Sequence, residues 1–436
     1  MNHPKNGAQR LAEELRPERM RRRARLAVGR LGPGLITGAA DDDPSGIATY
    51  SQAGAQFGPN MLWTVVFTYP LMLAVQSICA RVGRVTGNGL ASNLLGVFPR
   101  WVVMGLVALL FVANTINIGA DVAAMGAAAQ LLIGSGQTWF TIAAAIVSLL
   151  LQIFVPYHRY VHFLKWLTLV LFAYVAVVFT VDIDWGHVLR HVVLPDAPIT
   201  AGWVTVVVAV FGTTISPYLF FWQTSEEVEE MEANHQSDLL HAPPSAARHQ
   251  LRRILTDTSV GMGLSNLIAF FIILTAATTL HAKGITNIQT SAQAAEALRP
   301  IAGPLAFLLF SLGIIGTGLL AVPVLAGSTA YAAAELFGWK EGLEQDASKA
   351  KGFYAVIALS MVCAIAVVFS PLDPIKALFW SAVVNGTLAV PILGATMMLA
   401  TRRDEMGVFV ATAPQRIFGW AATIVMAGAA VAMFVL

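Results

Sequence analysis

Apolar runs long enough to cross a bilayer recur near residues 32–57, 60–80, 101–122, 137–156, 163–182, 201–229, 254–279, 302–334, 353–370, 375–400 and 416–435. About 20 such residues span the hydrocarbon core as a helix. The pattern therefore predicts an all-α polytopic membrane protein of about eleven transmembrane helices. Two of the runs are interrupted. In the first, Asp41, Asp42 and Asp43 stand before Pro44-Ser45-Gly46, between an apolar half and a half rich in small residues. In the sixth, Gly212-Thr213-Thr214-Ile215-Ser216-Pro217 fills the centre. Proline removes a backbone donor and glycine lets the chain unwind, so both helices should break mid-membrane. Unwound backbone survives at that depth where protein buries it or where it lines a cavity. The breaks lie five spans apart, and an odd offset inverts one half of the chain relative to the other. Two inverted repeats, roughly 31–182 and 201–400, with a site at the midplane are therefore expected. They make up a core at 31–400, flanked by a tail at 1–30 and by a loop and eleventh helix at 401–436.

Composition agrees. The chain is 56% hydrophobic and 12% charged, with a mean hydropathy of +0.68, whereas soluble domains average about 25% charged. The distribution of charge adds orientation. With the N-terminus inside, 23 of the 27 Lys and Arg residues fall in inner segments, including Arg159 and Lys165. The outer segments hold Arg190, Lys283, Arg299 and Lys376. This obeys the positive-inside rule and predicts a cytoplasmic N-terminus in the cell (plasma or inner) membrane. The basic tail reads as retained rather than as a signal peptide. Cys79 and Cys363 fall inside predicted spans, so neither a disulfide framework nor a Cys metal site is expected. No phosphate-cradling glycine loop, catalytic triad or CxxC pair is present, which argues against an ATP-driven pump or an enzyme. No cofactor, nucleic acid or obligatory protein partner is implied; the expected surroundings are the lipid bilayer.

The chemistry concentrates at the first break. One aspartate at bilayer depth costs about 2.5–3.5 kcal/mol, and three cost on the order of 8–10. The carboxylates must therefore face water or a cation. Asp43 is the foremost ligand candidate, and it is also placed to cap the second half-helix. Asp42 is a weaker candidate. The Ser216 hydroxyl serves either a cation or a carbonyl freed by the second break, and Tyr218 reads as a packing or gating residue. Asp121 in span three either lines a pathway or hydrogen-bonds across helices. Glu226 and Glu230 share a helix face where span six ends; an exit vestibule, or Arg252 and Arg253, would offset them. Asp257 is expected in an ion pair. His235, His241 and His249 read as a solvated loop.

These residues can be matched to a family. Gly32-Pro33-Gly34, Asp43-Pro44-Ser45-Gly46-Ile47, Gln52-Ala53-Gly54-Ala55, Ala80-Arg81-Val82-Gly83 and the stretch 313–331 resemble the natural resistance-associated macrophage protein (Nramp) family of divalent metal transporters. The resemblance implies a LeuT-type 5+5 inverted repeat with broken helices one and six. It implies ligation by Asp43, by the carbonyls of Ala40 and Gly212, and around Gly46, Ile215 and Ser216. The family's first-helix motif is Asp-Pro-Gly-Asn and its sixth-helix motif Met-Pro-His. Here Gly46 stands for the Asn, Ile215-Ser216-Pro217 replaces the thioether and histidine, Asp121 is the sole counterpart of the helix-three acids, and Asn385 lies near the tenth-helix Gln. A lost thioether favours harder ions, and Mg²⁺ keeps several waters, for which a small Gly46 would leave room. The pattern looks like the divergent magnesium and manganese branch. The expected function is secondary or facilitated import of divalent cations (Mn²⁺ and Mg²⁺, with Fe²⁺ a further candidate) by alternating access, without obligatory proton coupling; the metal is substrate. The alternative is a Na⁺-coupled permease for amino acids or organic solutes, which a triple aspartate disfavours.

Overall fold

A computed structural model describes residues 32–155, 167–241, 244–343, 345–369 and 373–436. The basic tail 1–30, Arg159 and Lys165 lie outside the described residues. The first predicted span forms α1 (Pro33–Asp41) and α2 (Pro44–Phe57). It is followed by α3 (Leu62–Thr86), α4 (Leu90–Val97), α5 (Arg100–Ile133) and α6 (Gln137–Phe154). Of the fifth predicted span, a 3-10 turn and α7 (Phe172–Val177) are described. The sixth forms α8 (Ala201–Thr214) and α9 (Pro217–Ala233). Then come α10 (Pro244–Thr279), α11 (Ala306–Phe337), α12 (Lys351–Val368), α13 (Pro374–Thr401) and α14 (Ala413–Val435). Among the described residues there is no strand.

Both breaks fall where the sequence places them. Asp42 and Asp43 interrupt span one, with Asp43 in extended backbone. Ile215 and Ser216 interrupt span six, with Ser216 likewise extended. Each second half begins with a proline, whose missing N–H is no loss at the first helical position. Five spans separate the matched breaks, which is the LeuT-type inverted repeat. Among the described residues eight helical stretches are long and apolar enough to cross a membrane, rather than eleven. Three spans account for the difference. The outer half of span one and span two run together as one stretch over Pro44–Thr86, span nine contributes a shorter apolar helix at Lys351–Ala366, and span five is described only in part.

The burial pattern is that of a protein solvated by lipid. Trp101, Trp139, Phe179, Ile424 and Phe434 are exposed, whereas Asp41, Asp42, Asp43, Asn117 and Asp121 are buried. The helix α10 runs beside both halves of span one. On α1, a Cβ at Gly38 would collide with the backbone of Gly261; on α2, one at Gly54 would meet Ala276 at 2.9 Å. In the second repeat, Gly212 of α8 lies against the backbone of Ala382 and Gly386 of α13.

The face on which α1 begins, which the charge pattern assigns to the cytosol, is here the inner face. On the opposite side a cavity of about 380 Å³ is lined by Ala48, Gln52, Gln56, Lys376, Phe379 and Trp380, among others. Gln52 ties α2 to the segment after α10 there. Its Oε1 accepts from the Ile288 amide at 2.9 Å, and its Nε2 donates to the Thr286 carbonyl at 3.3 Å.

Candidate metal centre

Asp43 sits at the first break with 2% of its surface exposed. Its Oδ1 accepts from the Gly46 amide at 2.6 Å, so it does cap α2. Its Oδ2 accepts from Asn117 Nδ2 of α5 at 3.0 Å. Behind Asn117, Ser381 Oγ of α13 lies 2.7 Å from Asn117 Oδ1 and 2.7 Å from its own Leu378 carbonyl. Ser45 Oγ also reaches the Leu378 carbonyl, at 3.0 Å. Three helices distant in sequence thus converge on one carboxylate.

The other carboxyls are more poorly supplied. Ser265 Oγ of α10 is 2.6 Å from Asp41 Oδ2 and 3.0 Å from Asp42 Oδ1. A hydroxyl carries one proton, so Asp41 and Asp42 compete for it. Asp41 Oδ1 and both oxygens of Asp121 are buried without a hydrogen-bond partner, and so is Asn385 Oδ1. Among the described residues no ion pair reaches Asp41, Asp42, Asp43 or Asp121. Nor do three or more His, Cys, Asp or Glu side chains there form a group able to hold a metal by themselves. Any cation at this break must take its remaining oxygens from backbone, amides, hydroxyls or water.

Several expectations change. The Ser216 hydroxyl donates to the carbonyls of Gly212 at 2.7 Å and Thr213 at 2.9 Å; it serves carbonyls freed by the break, and the Gly212 oxygen is engaged by it. The Ala40 carbonyl accepts from Tyr218 Oη at 3.1 Å, which ties α1 to α9 across the two breaks. Gly46 is closely neighboured: a Cβ there would meet Thr213 Oγ1 at 3.2 Å and the Tyr50 ring at 3.4 Å. Ile215 is buried at the second break.

Toward the inner face the acids are offset by protein. Arg253 of α10 pairs with Glu230 at 2.5 Å and Glu227 at 3.1 Å, while Arg252 is exposed. Glu226 is half-buried on the same helix. Asp257 makes no salt bridge among the described residues, contrary to expectation. Its carboxylate accepts from the amides of Gly32 at 3.0 Å and Gly34 at 2.8 Å, capping α1 from another helix. The helix α1 has no side-chain cap of its own, and a carboxylate suits the positive end of its dipole. Nearby, a separate cavity of about 330 Å³ is lined by Glu229, Glu232, Tyr331 and Glu341, among others.

Asn117 and Ser265 escaped the sequence reading, although each left a trace. Asn114, Asn117 and Asp121 recur at three and four residues, one polar stripe on an otherwise apolar helix. Asp257, Gly261 and Ser265 recur at four, the small and polar stripe that faces α1.

A multi-span α-helical scaffold with two broken helices, and uncompensated carboxylates buried at one of the breaks, defines a membrane carrier of the inverted-repeat class. The chain belongs to the Nramp (natural resistance-associated macrophage protein-like) family, whose model matches residues 34–436. It is 26% identical over 416 residues to the divalent metal cation transporter MntH of Burkholderia ambifaria, covering 91% of this chain and 86% of the relative. It is 24% identical over 420 residues to MntH of Deinococcus radiodurans, covering 91% and 87%. In fold it matches the Eremococcus coleocola manganese transporter, crystallised with an aromatic bis-isothiourea substituted compound, at a TM-score of 0.74 and 15% identity, over 99% of this chain and 88% of that one.

Proposed function

We propose that this protein carries divalent metal cations inward across the cell membrane by alternating access, with Asp43 as the central ligand. One observation carries the reading: four buried carboxyls, Asp41, Asp42, Asp43 and Asp121, lie in or beside the first break, and no cationic side chain pairs with them among the described residues. Buried charge without a partner is strongly unfavourable, and a dication supplies the missing charge. The relatives named as divalent metal cation transporters support the same class of substrate.

The donors suit hard ions. Asp43, the Ala40 carbonyl and the neighbouring amides and hydroxyls offer oxygen only, and Ile215 offers no soft atom. Oxygen shells with retained water suit Mn²⁺ and Mg²⁺. The carbonyls of Ala40 and Gly212 have second lone pairs free after their present bonds, so both can turn to a cation. Asp43 lies closed off from both faces. Access from outside requires Gln52 to release the Thr286 and Ile288 backbone, and exit requires α1 to part from α9, where Tyr218 holds the Ala40 carbonyl. An amino-acid permease is disfavoured, because three aspartates would repel a substrate carboxylate.

Replacing Asp43 with Ala should abolish Mn²⁺ binding and uptake while the protein still inserts and purifies as a folded species. Calorimetry with Mn²⁺, alongside uptake into proteoliposomes, tests this. Wild-type affinity in Asp43→Ala would remove Asp43 from the site.

A further inference from the structure

The amide of Asn117 sits between the Asp43 carboxylate and the Ser381 hydroxyl, and it can be turned around without losing Ser381 as a partner. In the orientation described, Nδ2 donates to Asp43 Oδ2 and Ser381 Oγ lies 2.7 Å from Oδ1. Ser381 has one proton and a second acceptor, the Leu378 carbonyl, also at 2.7 Å. If Ser381 donates to Leu378 instead, its oxygen is free to accept from Nδ2. Reversing the amide then keeps the Ser381 bond, with Nδ2 as donor, and turns Oδ1 toward Asp43; the bond lost at Asp43 Oδ2 is one that only a cation between the two oxygens replaces. Asn117 is fully buried, so water offers it no cheaper arrangement.

What sets the orientation is the charge at Asp43. Beside a bare carboxylate, the amide N–H is favoured. Beside a dication held by Asp43, the same N–H is repelled and the carbonyl oxygen attracted. We propose that Asn117 is a second side-chain ligand of the cation, recruited by reversal of its amide, with Ser381 accepting the displaced N–H. This rests on the divalent-cation reading above. It gives the centre an oxygen pair, one charged and one neutral, drawn from α2's N-terminus and from α5. Gly46, which has no side chain to offer, is thereby bypassed.

The test is Mn²⁺ calorimetry on the purified full-length protein, comparing wild type with Asn117→Asp and Asn117→Leu, with metal-free melting as the check on folding. Asn117→Asp keeps an oxygen but has no donor; it should bind at least as tightly as wild type. Asn117→Leu should bind roughly tenfold or more weakly, as when a metal site loses a supporting partner. If Asn117 only orients Asp43 as a donor, Asn117→Asp will fail as Asn117→Leu does, and the proposal is overturned. Should either variant misfold, isotope-edited infrared spectra of wild type labelled with ¹³C-asparagine decide: Mn²⁺ should lower an amide carbonyl frequency, and an unmoved spectrum overturns the assignment. Absence of any Mn²⁺ heat in the wild type would instead sink the divalent-cation reading itself, and this ligand with it.

Discussion

Replacing Asp257 with Ala should loosen the start of α1. The helix has 9 residues, begins with Pro33 and lacks a cap of its own. Its first amides are held by the two oxygens of Asp257, at 3.0 Å from Gly32 and 2.8 Å from Gly34. Hydrogen bonds to a charged group contribute about 1.5–3 kcal/mol each. The Gly32 bond is only part-buried, and water replaces it in the variant, so the loss should fall near the lower end, about 2–4 kcal/mol for the pair. At about 1.4 kcal/mol per factor of ten, the local opening of α1 should become roughly 30- to several-hundred-fold more frequent. Hydrogen exchange read by mass spectrometry on a peptide covering α1, with α2 as the internal reference, measures this directly. Asp257→Asn, which keeps one acceptor, should show about half the effect in free energy. Unchanged exchange in α1, or an equal rise in α2, would refute the view that Asp257 pins this half-helix. The Arg253 pairs with Glu227 and Glu230 survive in both variants, so the inner face as a whole should not come apart.

Ile215→Met is nearly volume-conserving and should cost under about 1.5 kcal/mol; the added sulfur should raise Cd²⁺ affinity while leaving Mg²⁺ unchanged or weaker, as competition uptake assays would show. Transport should run without a fixed proton ratio, since no histidine stands at the second break; metal-dependent acidification of dye-loaded vesicles in constant proportion to metal flux would contradict this. In the loop after α11, burial and then Glu335, Glu229 and Glu232 push the Glu341 carboxyl up to about 9 from its ordinary 4.5. Because the folded state holds that proton more tightly, the group's stabilising contribution is whole below the ordinary value and is lost as pH rises through about 9. Glu341→Gln should therefore flatten the fall in melting temperature over that range, and an equally steep fall would disprove it.

The breaks were legible in the sequence because proline, glycine and aspartate violate the local rule of an apolar helix, and Asp43 could be read as the cap of α2 from its place before Pro44. What surrounds Asp43 was not. Asn117 is 74 positions from it and Ser381 a further 264, and only the packing of α5 and α13 on α2 brings them together. Asp257 was misread because a buried acid near arginines suggests an ion pair, whereas the orphan amides of a short helix on another segment outbid them. The room expected at Gly46 is narrowed for a related reason: Thr213 of α8 and Tyr50, one turn further along α2 itself, stand 3.2 and 3.4 Å from where a Cβ would lie.

The 36-residue helix α10, about 54 Å long at 1.5 Å per residue, lies along both pieces of the broken first span. It is fastened to α1 through Asp257, Gly261 and Ser265, and to α2 near Ile273 and Ala276. Just beyond its end, His281 bonds the Ala55 carbonyl at 2.8 Å. It therefore acts as a splint across a fracture. Tilting one piece as a rigid unit should drag the splint and press the other inward. A see-saw of this kind forbids a pathway open at both ends at once. Reconstituted protein should accordingly show saturable flux and no steady ionic conductance in planar bilayers, even with a membrane voltage applied.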